Sequence, residues 1–507
     1  MAAVVREAGR RHGDSELYRT TDGCTLTYRQ LDAGSDALAA GLARRGIAAG
    51  DVGVLLLPSG PAYALCYAAL AKLGAVTAGV NERLTAPERR ACAEVAGGSL
   101  VIGTRALLEG TGIESGTAAD ELVVLDLPSA AGAGAVLHAV LSLGVEGGAP
   151  GPLDEDPARP VAIVFTSGTT GLPRGAVFGG RQLDAISRID GAMRWGGGGR
   201  GLSSTSFAHL GTMTKLPQVL RGGGTSIVMD RWSAGEALEL VERHGVTTLG
   251  GIPTQVALML AHDRFDATDL SSVRLVALGG GPSTPALVRE ARRRIGAPVV
   301  VRYTCTEAGV GVGTAPEDPD GDAEESVGRA RAGVTLTVRD DKGEPVAAGQ
   351  VGEVCLASDA TMTGYWRDPG ATAAAFTADG AVRTGDLGFL DDRGRLHLSG
   401  RAKEMYVRGG YNVFPQEVEA VLEEHPAVSQ VAVVPRPDDV MGEIGVAVVV
   451  PAAGREPPTL EELRALARGR LATHKLPEDL LVVDRLPRTA MEKIDRRTLA
   501  GLVAPAP

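Results

Sequence analysis

Short, wholly apolar runs, each followed by a helix-like stretch, constrain the fold of this chain most. Gly50-Asp51 turns into Val52-Gly53-Val54-Leu55-Leu56-Leu57. A strand with no polar face is buried on both sides, as in a parallel sheet covered by helices. Tyr63 to Leu73 reads as the helix that follows, and Gly74-Ala75-Val76 opens another strand. Upstream, Thr27-Tyr28-Arg29-Gln30-Leu31 opens an amphipathic helix, with Leu31, Leu38, Leu42 and Ala43 near helical spacing. Repeated β-then-α units predict an α/β fold. Residues 110 to 158, rich in Gly, Ala and Pro, are expected to be an irregular surface connection. Further on, Val273 to Leu278 and Pro298 to Arg302 read as strands, and Gly196 to Gly199 as a flexible turn.

With 507 residues the chain can hold more than one domain. Its net charge of -11 argues against nucleic-acid or anionic-membrane partners. The apolar runs Val52–Pro58 and Val446–Pro451 are too short to span a bilayer. No apolar core follows Arg6, Arg10 and Arg11, so no secretory signal is read. The five cysteines (24, 66, 92, 305 and 355) are scattered without a C-x-x-C pair, which fits a reduced, cytoplasmic protein without a structural metal. The oligomeric state stays open between monomer and homodimer.

One apolar strand, Pro160 to Phe165, breaks into Thr166-Ser167-Gly168-Thr169-Thr170-Gly171-Leu172-Pro173-Arg174-Gly175. Glycines let a backbone turn closely around a ligand, and free amides in such a turn make an anion cradle. The hydroxyls of Thr166, Ser167, Thr169 and Thr170 add donors, and Arg174 adds a positive charge. The Walker spacing is absent. A polyphosphate grip and a plain Ser/Thr/Gly surface loop both remain open on composition alone.

The ordered loop resembles the phosphate loop of the adenylate-forming superfamily, which includes acyl- and aryl-CoA ligases, peptide-synthetase adenylation domains and luciferases. Similar segments continue in the family's order: Tyr303-Thr304-Cys305-Thr306-Glu307, Thr363-Gly364-Tyr365-Trp366, Arg383-Thr384-Gly385-Asp386-Leu387, Gly400-Arg401-Ala402-Lys403-Glu404 and Gly409-Gly410-Tyr411-Asn412-Val413. The resemblance covers nearly the whole chain. It implies a large N-terminal domain (1–400) of helix-covered, mainly parallel sheets with a small β-rich subdomain. A small, mobile α+β domain (401–507) follows, with its hinge at Lys403. In that C-terminal part, Val418 to Leu422 begins a helix, Val428 to Val434 and Val446 to Val450 read as strands, and Leu460 to Leu471 as an amphipathic helix.

The resemblance also implies roles. Thr166, Ser167, Gly168, Thr169, Thr170, Gly171 and Arg174, with Gly280 and Gly281, grip ATP. Tyr303 stacks on adenine, Asp386 accepts from the ribose hydroxyls, and Arg401 contacts the nucleotide near the ribose. Thr306 donates to a phosphate, and Glu307 holds Mg²⁺ through oxygen. His209 stands beside the acyl pocket, and Lys493 is the catalytic lysine of the terminal loop. Gly409, Gly410 and Tyr411 line the thiol tunnel. Arg174, Thr304 and Glu492 depart from the usual Lys, Gly and Gly at their positions.

The implied reaction is attack of a carboxylate on the α-phosphorus of ATP, followed by displacement of AMP by CoA. Alternatives are a stand-alone adenylating enzyme that feeds a partner or carrier protein, a luciferase-like oxygenase, and a degenerate nucleotide-binding scaffold. No acidic residue lies between Ser203 and Met229, where the resembled peptide-synthetase domains keep an Asp for the substrate's amino group, which counts against an α-amino acid substrate. The segments matching the acyl pocket are small: Gly250-Gly251, Gly279 to Gly281, and Gly309-Val310-Gly311-Val312-Gly313. Neither Gly250–Leu260 nor Gly309–Thr314 holds an Arg or Lys for a second carboxylate. A bulky, hydrophobic monocarboxylic acid is expected, with the glycines leaving room for it.

Overall fold

The computed structural model describes residues 1–504 except 114–119, 146, 147, 149, 152, 155, 167–172, 192, 439, 469 and 490–492. Helix Tyr28–Arg44 starts on a reciprocal cap: the Gln30 amide donates to Thr27 Oγ1, and the Thr27 amide donates to Gln30 Oε1. It buries Leu31, Leu38 and Leu42 beside helix Pro61–Leu73, which is buried along its whole length. Lys72 in that helix is fully buried, and its ammonium is satisfied by Asp32 Oδ1 and the Asp32 carbonyl, each at 2.7 Å. A buried charge without such partners would be costly.

Strand Val52–Leu56, buried at every position, pairs in parallel with Val76–Gly79 and Leu100–Thr104. They sit inside a six-stranded sheet that ends on Pro160–Thr166 and its antiparallel neighbour Arg174–Gly179. The expected irregular connection over 110–158 is corrected here. Strand Glu121–Leu125 pairs with Leu100–Thr104 at the edge of this sheet, and helix Ala133–Leu141 buries Val136, Leu137 and Val140. Val123, Leu125 and these helix residues join the main core, so a few apolar side chains suffice to order a Gly- and Ala-rich segment.

A nine-stranded sheet lies beside it. Its inner strands Val299–Tyr303, Leu275–Gly279, Thr248–Gly251, Arg200–Ser203, Thr225–Val228 and Glu16–Thr20 all run parallel. Their C-terminal ends therefore share one edge, and their N-terminal ends the opposite edge. Ligands in open α/β sheets bind beyond the C-terminal ends of the strands. A four-stranded antiparallel sheet follows, ordered Thr335–Arg339, Gly352–Ala357, Val382–Leu390 and Leu396–Arg401.

The C-terminal part builds a five-stranded sheet around Val428–Asp438 and Gly442–Pro451, with Tyr406–Arg408, Tyr411–Val413 and Asp479–Val482. Two expectations shift here. The helix expected to begin near Val418 runs Pro415–Leu422, because Pro415 at its first position is already set in the helical φ. The next helix stops at Ala467 rather than Leu471, where Arg468 turns to extended backbone and bridges to Leu471. Among the described residues no helix is long and apolar enough to cross a membrane.

Candidate active site

Strand Val299–Tyr303 ends at the shared C-terminal edge and delivers Tyr303, then Thr306 and Glu307 in the following turn. The Tyr303 hydroxyl donates to Asp386 Oδ2 at 2.7 Å. Asp386 Oδ1 lies 3.1 Å from Arg401 Nε. Asp386 and Arg401 are register partners on adjacent antiparallel strands, so the pairing of the strands sets the ion pair. Burial first, then the charge of Asp386, raises the Tyr303 phenol well above its ordinary pKa and keeps it a donor. Each carboxylate oxygen retains a second lone pair, so Asp386 can still accept from neighbouring hydroxyls.

Glu307 Oε1 accepts from the Tyr365 hydroxyl at 2.7 Å, and the Arg174 guanidinium lies 5.7 Å from the centre of the Tyr365 ring. Tyr365 therefore joins the cation of the glycine–hydroxyl loop to the carboxylate beyond Tyr303. The bridge is possible because the amide of Met362 donates to the Glu307 carbonyl, while the Thr363 amide donates to the Val177 carbonyl and the Val177 amide to the Gly364 carbonyl. The Thr363–Trp366 segment matched the family motif, but only the fold exposes this role for Tyr365. A carboxylate with one oxygen held by a hydroxyl can hold a hard divalent cation. No group of three or more His, Cys, Asp or Glu converges on a protein-only cage among the described residues.

His209 follows strand Arg200–Ser203 at the same edge. Its Nε2 lies 3.2 Å from Asn81 Nδ2, and Asn81 is buried. The Ser59 hydroxyl donates to Glu82 Oε1 at 2.8 Å, the Ser206 hydroxyl donates to Glu82 Oε2, and the Phe207 amide donates to Ser59 Oγ at 2.8 Å. These bonds fasten the 206–209 turn to the end of strand Val76–Gly79. Burial chiefly, then Lys493 and Arg83, lowers the His209 pKa to about 4, so the ring is neutral at neutral pH. Asn81 and Arg83 were missed at the sequence level. Arg83 Nη2 donates to the Ser204 carbonyl at 2.9 Å, so a cation does stand near His209 although none occurs in the two pocket-matching segments.

Lys493 comes from the far end of the chain. Its loop is closed by the Thr489 amide donating to the Lys493 carbonyl at 2.8 Å and by a bridge between Arg488 and Ile494. The side chain keeps an exposed edge. Even so, partial desolvation and then Arg401 lower its pKa, while Asp386 and Glu404 pull the other way. Lys493, Arg401, Asp386, Tyr303 and His209 thus share one electrostatic neighbourhood.

Other candidate residues divide. Thr166 closes strand Pro160–Thr166 opposite Arg174, while Ser167, Gly168, Thr169, Thr170, Gly171 and Glu492 lie outside the described residues. Gly280 and Gly281 follow strand Leu275–Gly279 with room around them: a Cβ at Gly280 would first meet Ile252 at 3.4 Å. Gly250 has nothing within 4 Å of such an atom. Gly309, Gly311 and Gly313 differ, which corrects the expectation that all these glycines leave room for substrate. Added Cβ atoms there would come 2.5 Å from the Ala360 carbonyl, 2.6 Å from the Tyr303 carbonyl and 2.7 Å from Arg302. Backbone carbonyls at Gly309 and Gly311, and the Arg302 side chain at Gly313, fill this space in place of a ligand. Thr304 is exposed and donates to the Cys305 carbonyl at 3.1 Å. Gly409, Gly410 and Tyr411 form an exposed hairpin turn, with the Tyr411 ring stacked 4.5 Å from His474. Lys403 is exposed in the turn after Arg401, where the Ala402 amide donates to the Gly385 carbonyl at 3.1 Å.

Comparison with known proteins places the chain in a family. Residues 5–366 match the AMP-binding enzyme family and residues 417–493 its C-terminal domain. An indoleacetate–CoA ligase of Aromatoleum aromaticum is 33% identical over 94% of this chain and 93% of its own length. A fatty acid–[acyl-carrier-protein] ligase of Streptomyces coeruleorubidus is 33% identical over 94% and 92%. The solved amide bond synthetase McbA of Marinactinospora thermotolerans superposes with a TM-score of 0.87 at 28% identity, over 99% of this chain and 100% of that one. The chain belongs to the AMP-binding enzyme family, the adenylate-forming superfamily.

Proposed function

We propose that this enzyme activates a bulky, hydrophobic carboxylic acid with ATP and transfers the acyl group to CoA, as an AMP-forming acid–thiol ligase. The observation that carries this reading is Asp386 held between the Tyr303 hydroxyl at 2.7 Å and Arg401 at 3.1 Å beyond the sheet's C-terminal edge, with Lys493 of the terminal loop close enough to feel both charges. A carboxylate oxygen attacks the α-phosphorus, the bond to the bridging oxygen breaks, and pyrophosphate leaves. The thiol then attacks the acyl carbon, and AMP leaves with the bonding pair.

The first step brings two anions together, so fixed positive charge is its main requirement. Lys493 and Arg174 supply it, Asp386 and Tyr303 orient the ribose end, and Thr306 donates to a phosphate oxygen. Gly280, Gly281 and the glycine–hydroxyl loop (Thr166 to Gly171) cradle the nucleotide. Glu307, steadied by Tyr365, is suited to hold Mg²⁺ together with substrate phosphates and water. When bound, that ion supplies charge neutralisation on the triphosphate. Neutral His209, held by Asn81, lines the acyl end without adding charge.

For the second step, we place a hinge at Lys403 between units 1–400 and 401–507. Rotation there carries Lys493 away and brings Gly409, Gly410 and Tyr411 to the thiol path. The openness around Gly250 and Gly280 favours a large acyl group, as do relatives named for indoleacetate and fatty acids. The five free cysteines suit a reduced, cytoplasmic setting. The acyl-carrier-protein ligase relative favours a second reading, in which a carrier protein replaces CoA as acceptor. ATP–pyrophosphate exchange across acetate, malonate, an aryl acetate, a long-chain fatty acid and a polycyclic acid tests the substrate class. CoA consumption tests the acceptor. A preference for acetate or malonate would overturn the wide-pocket reading.

A further inference from the structure

The glycine run 196–199 takes no part in the chemistry above, and it is no loose turn. The amides of Gly196 and Gly198 donate to the carbonyls of Arg221 and Gly222 at 2.9 and 2.8 Å, and the Gly199 carbonyl accepts from the Thr225 amide at 3.0 Å. Backbone lies directly on backbone, since a Cβ at Gly198 would come 2.7 Å from the Gly222 carbonyl. Gly196 and Gly197 both adopt positive φ, 83° and 81°, which favours glycine at this bend.

This lacing walls a cavity of about 790 Å³, open to solvent along one side. It lies at the N-terminal ends of strands Arg200–Ser203, Thr225–Val228 and Thr248–Gly251, the sheet edge opposite His209 and Glu307. The cavity is therefore separate from the site already described. Its volume is that of a small-molecule pocket.

Charge identifies the class of ligand. Among the described residues the lining holds Arg194, Arg200 and Arg221 and no carboxylate, in a chain whose net charge is -11. Arg221 is only 8% exposed. Its Nη2 donates to Asp184 at 2.9 Å, but its Nη1 is buried without a hydrogen-bond partner. Buried polar atoms left unpaired are costly and rare, and an unpaired guanidinium N–H is a donor that an anionic oxygen would satisfy. Guanidinium forks match phosphate oxygens, and a wall of glycine backbone lets such a group approach closely. Trp195 supplies an aromatic wall, with the Arg11 guanidinium 5.0 Å from its ring.

We propose that this cavity is a second binding site for a phosphate-bearing small molecule, held by Arg194, Arg200 and Arg221. Trp195 lies in the lining and reports on it. In a chain carrying Trp232→Phe and Trp366→Phe, its fluorescence is titrated with inorganic pyrophosphate and, separately, with AMP. A saturable change with pyrophosphate is expected, weakened at least tenfold by Arg194→Gln with Arg200→Gln. A response to AMP as well would assign the site to nucleotides, and a response to pyrophosphate alone to free phosphates. Should the double variant fail to fold, Arg194→Gln alone, on the exposed rim, is expected to weaken binding severalfold at an unchanged melting temperature. No saturable change, or one indifferent to the arginine substitutions, overturns the proposal.

Discussion

The Tyr303 hydroxyl donates to Asp386 at 2.7 Å, while Arg401 approaches the other oxygen of the same carboxylate at 3.1 Å. The end of a parallel strand and the register of an antiparallel pair thus meet on one buried group. Removing the hydroxyl with Tyr303→Phe leaves Asp386 short of a donor, a loss of about 1–3 kcal/mol. The KM for ATP is expected to rise about tenfold, the equivalent of ~1.4 kcal/mol, with little change in kcat. An unchanged KM in pyrophosphate exchange would remove Asp386 from the nucleotide site.

Lys493→Ala is expected to abolish adenylate formation while sparing use of a preformed acyl-adenylate. On the proposed role the lysine is needed only while two anions are joined, so its loss should cost about 3 kcal/mol, roughly a hundredfold in rate. Pyrophosphate release at the wild-type rate would sink this assignment.

On the proposed role, Glu307→Gln replaces a hard anionic ligand with an amide, and Mg²⁺ should then be required at higher concentration in the first half-reaction. The check is a Mg²⁺ titration of pyrophosphate exchange in both proteins. Superimposable curves would assign the metal elsewhere.

Lys403→Pro fixes φ in the turn that follows Arg401 and removes a backbone donor. The adenylate should still form and the thioester should not. Half-reactions that fall together, or not at all, would place the hinge at another residue.

His209 gives a pH prediction. Its folded pKa of about 4, set by burial and then by Lys493 and Arg83, lies below the 6.5 of an ordinary histidine. The unfolded chain therefore binds the proton more readily, and stability present above pH 6.5 is lost as pH falls towards 4, by no more than about 3 kcal/mol. His209→Gln should narrow the gap between the melting temperatures at pH 7 and pH 4.5. A gap as wide as in the wild type would show that His209 is not buried in its neutral form.

Much of the fold was legible because apolar periodicity is a local property. Val52–Leu57, Tyr63–Leu73 and Thr27–Leu31 each announced their element, and the structure places all three there. The 110–158 segment was misread because strand Glu121–Leu125 earns its place from a neighbouring strand, which composition does not display. Likewise the glycines at 309, 311 and 313 looked like pocket space, although the carbonyls and side chain they pack against come from residues that only the fold brings close.

By itself, the sequence determined the family, the order of its motifs and the residue types the chemistry requires, since these are carried by contiguous residues. Tertiary structure decided which of them meet. Tyr365 on Glu307, Asn81 on His209, and Lys493 in the neighbourhood of Asp386 join residues tens to hundreds of positions apart. Hydrogen bonds and ion pairs act over a few ångströms of space rather than along the chain, so such partners appear only once strands are in register and the two domains are folded against each other.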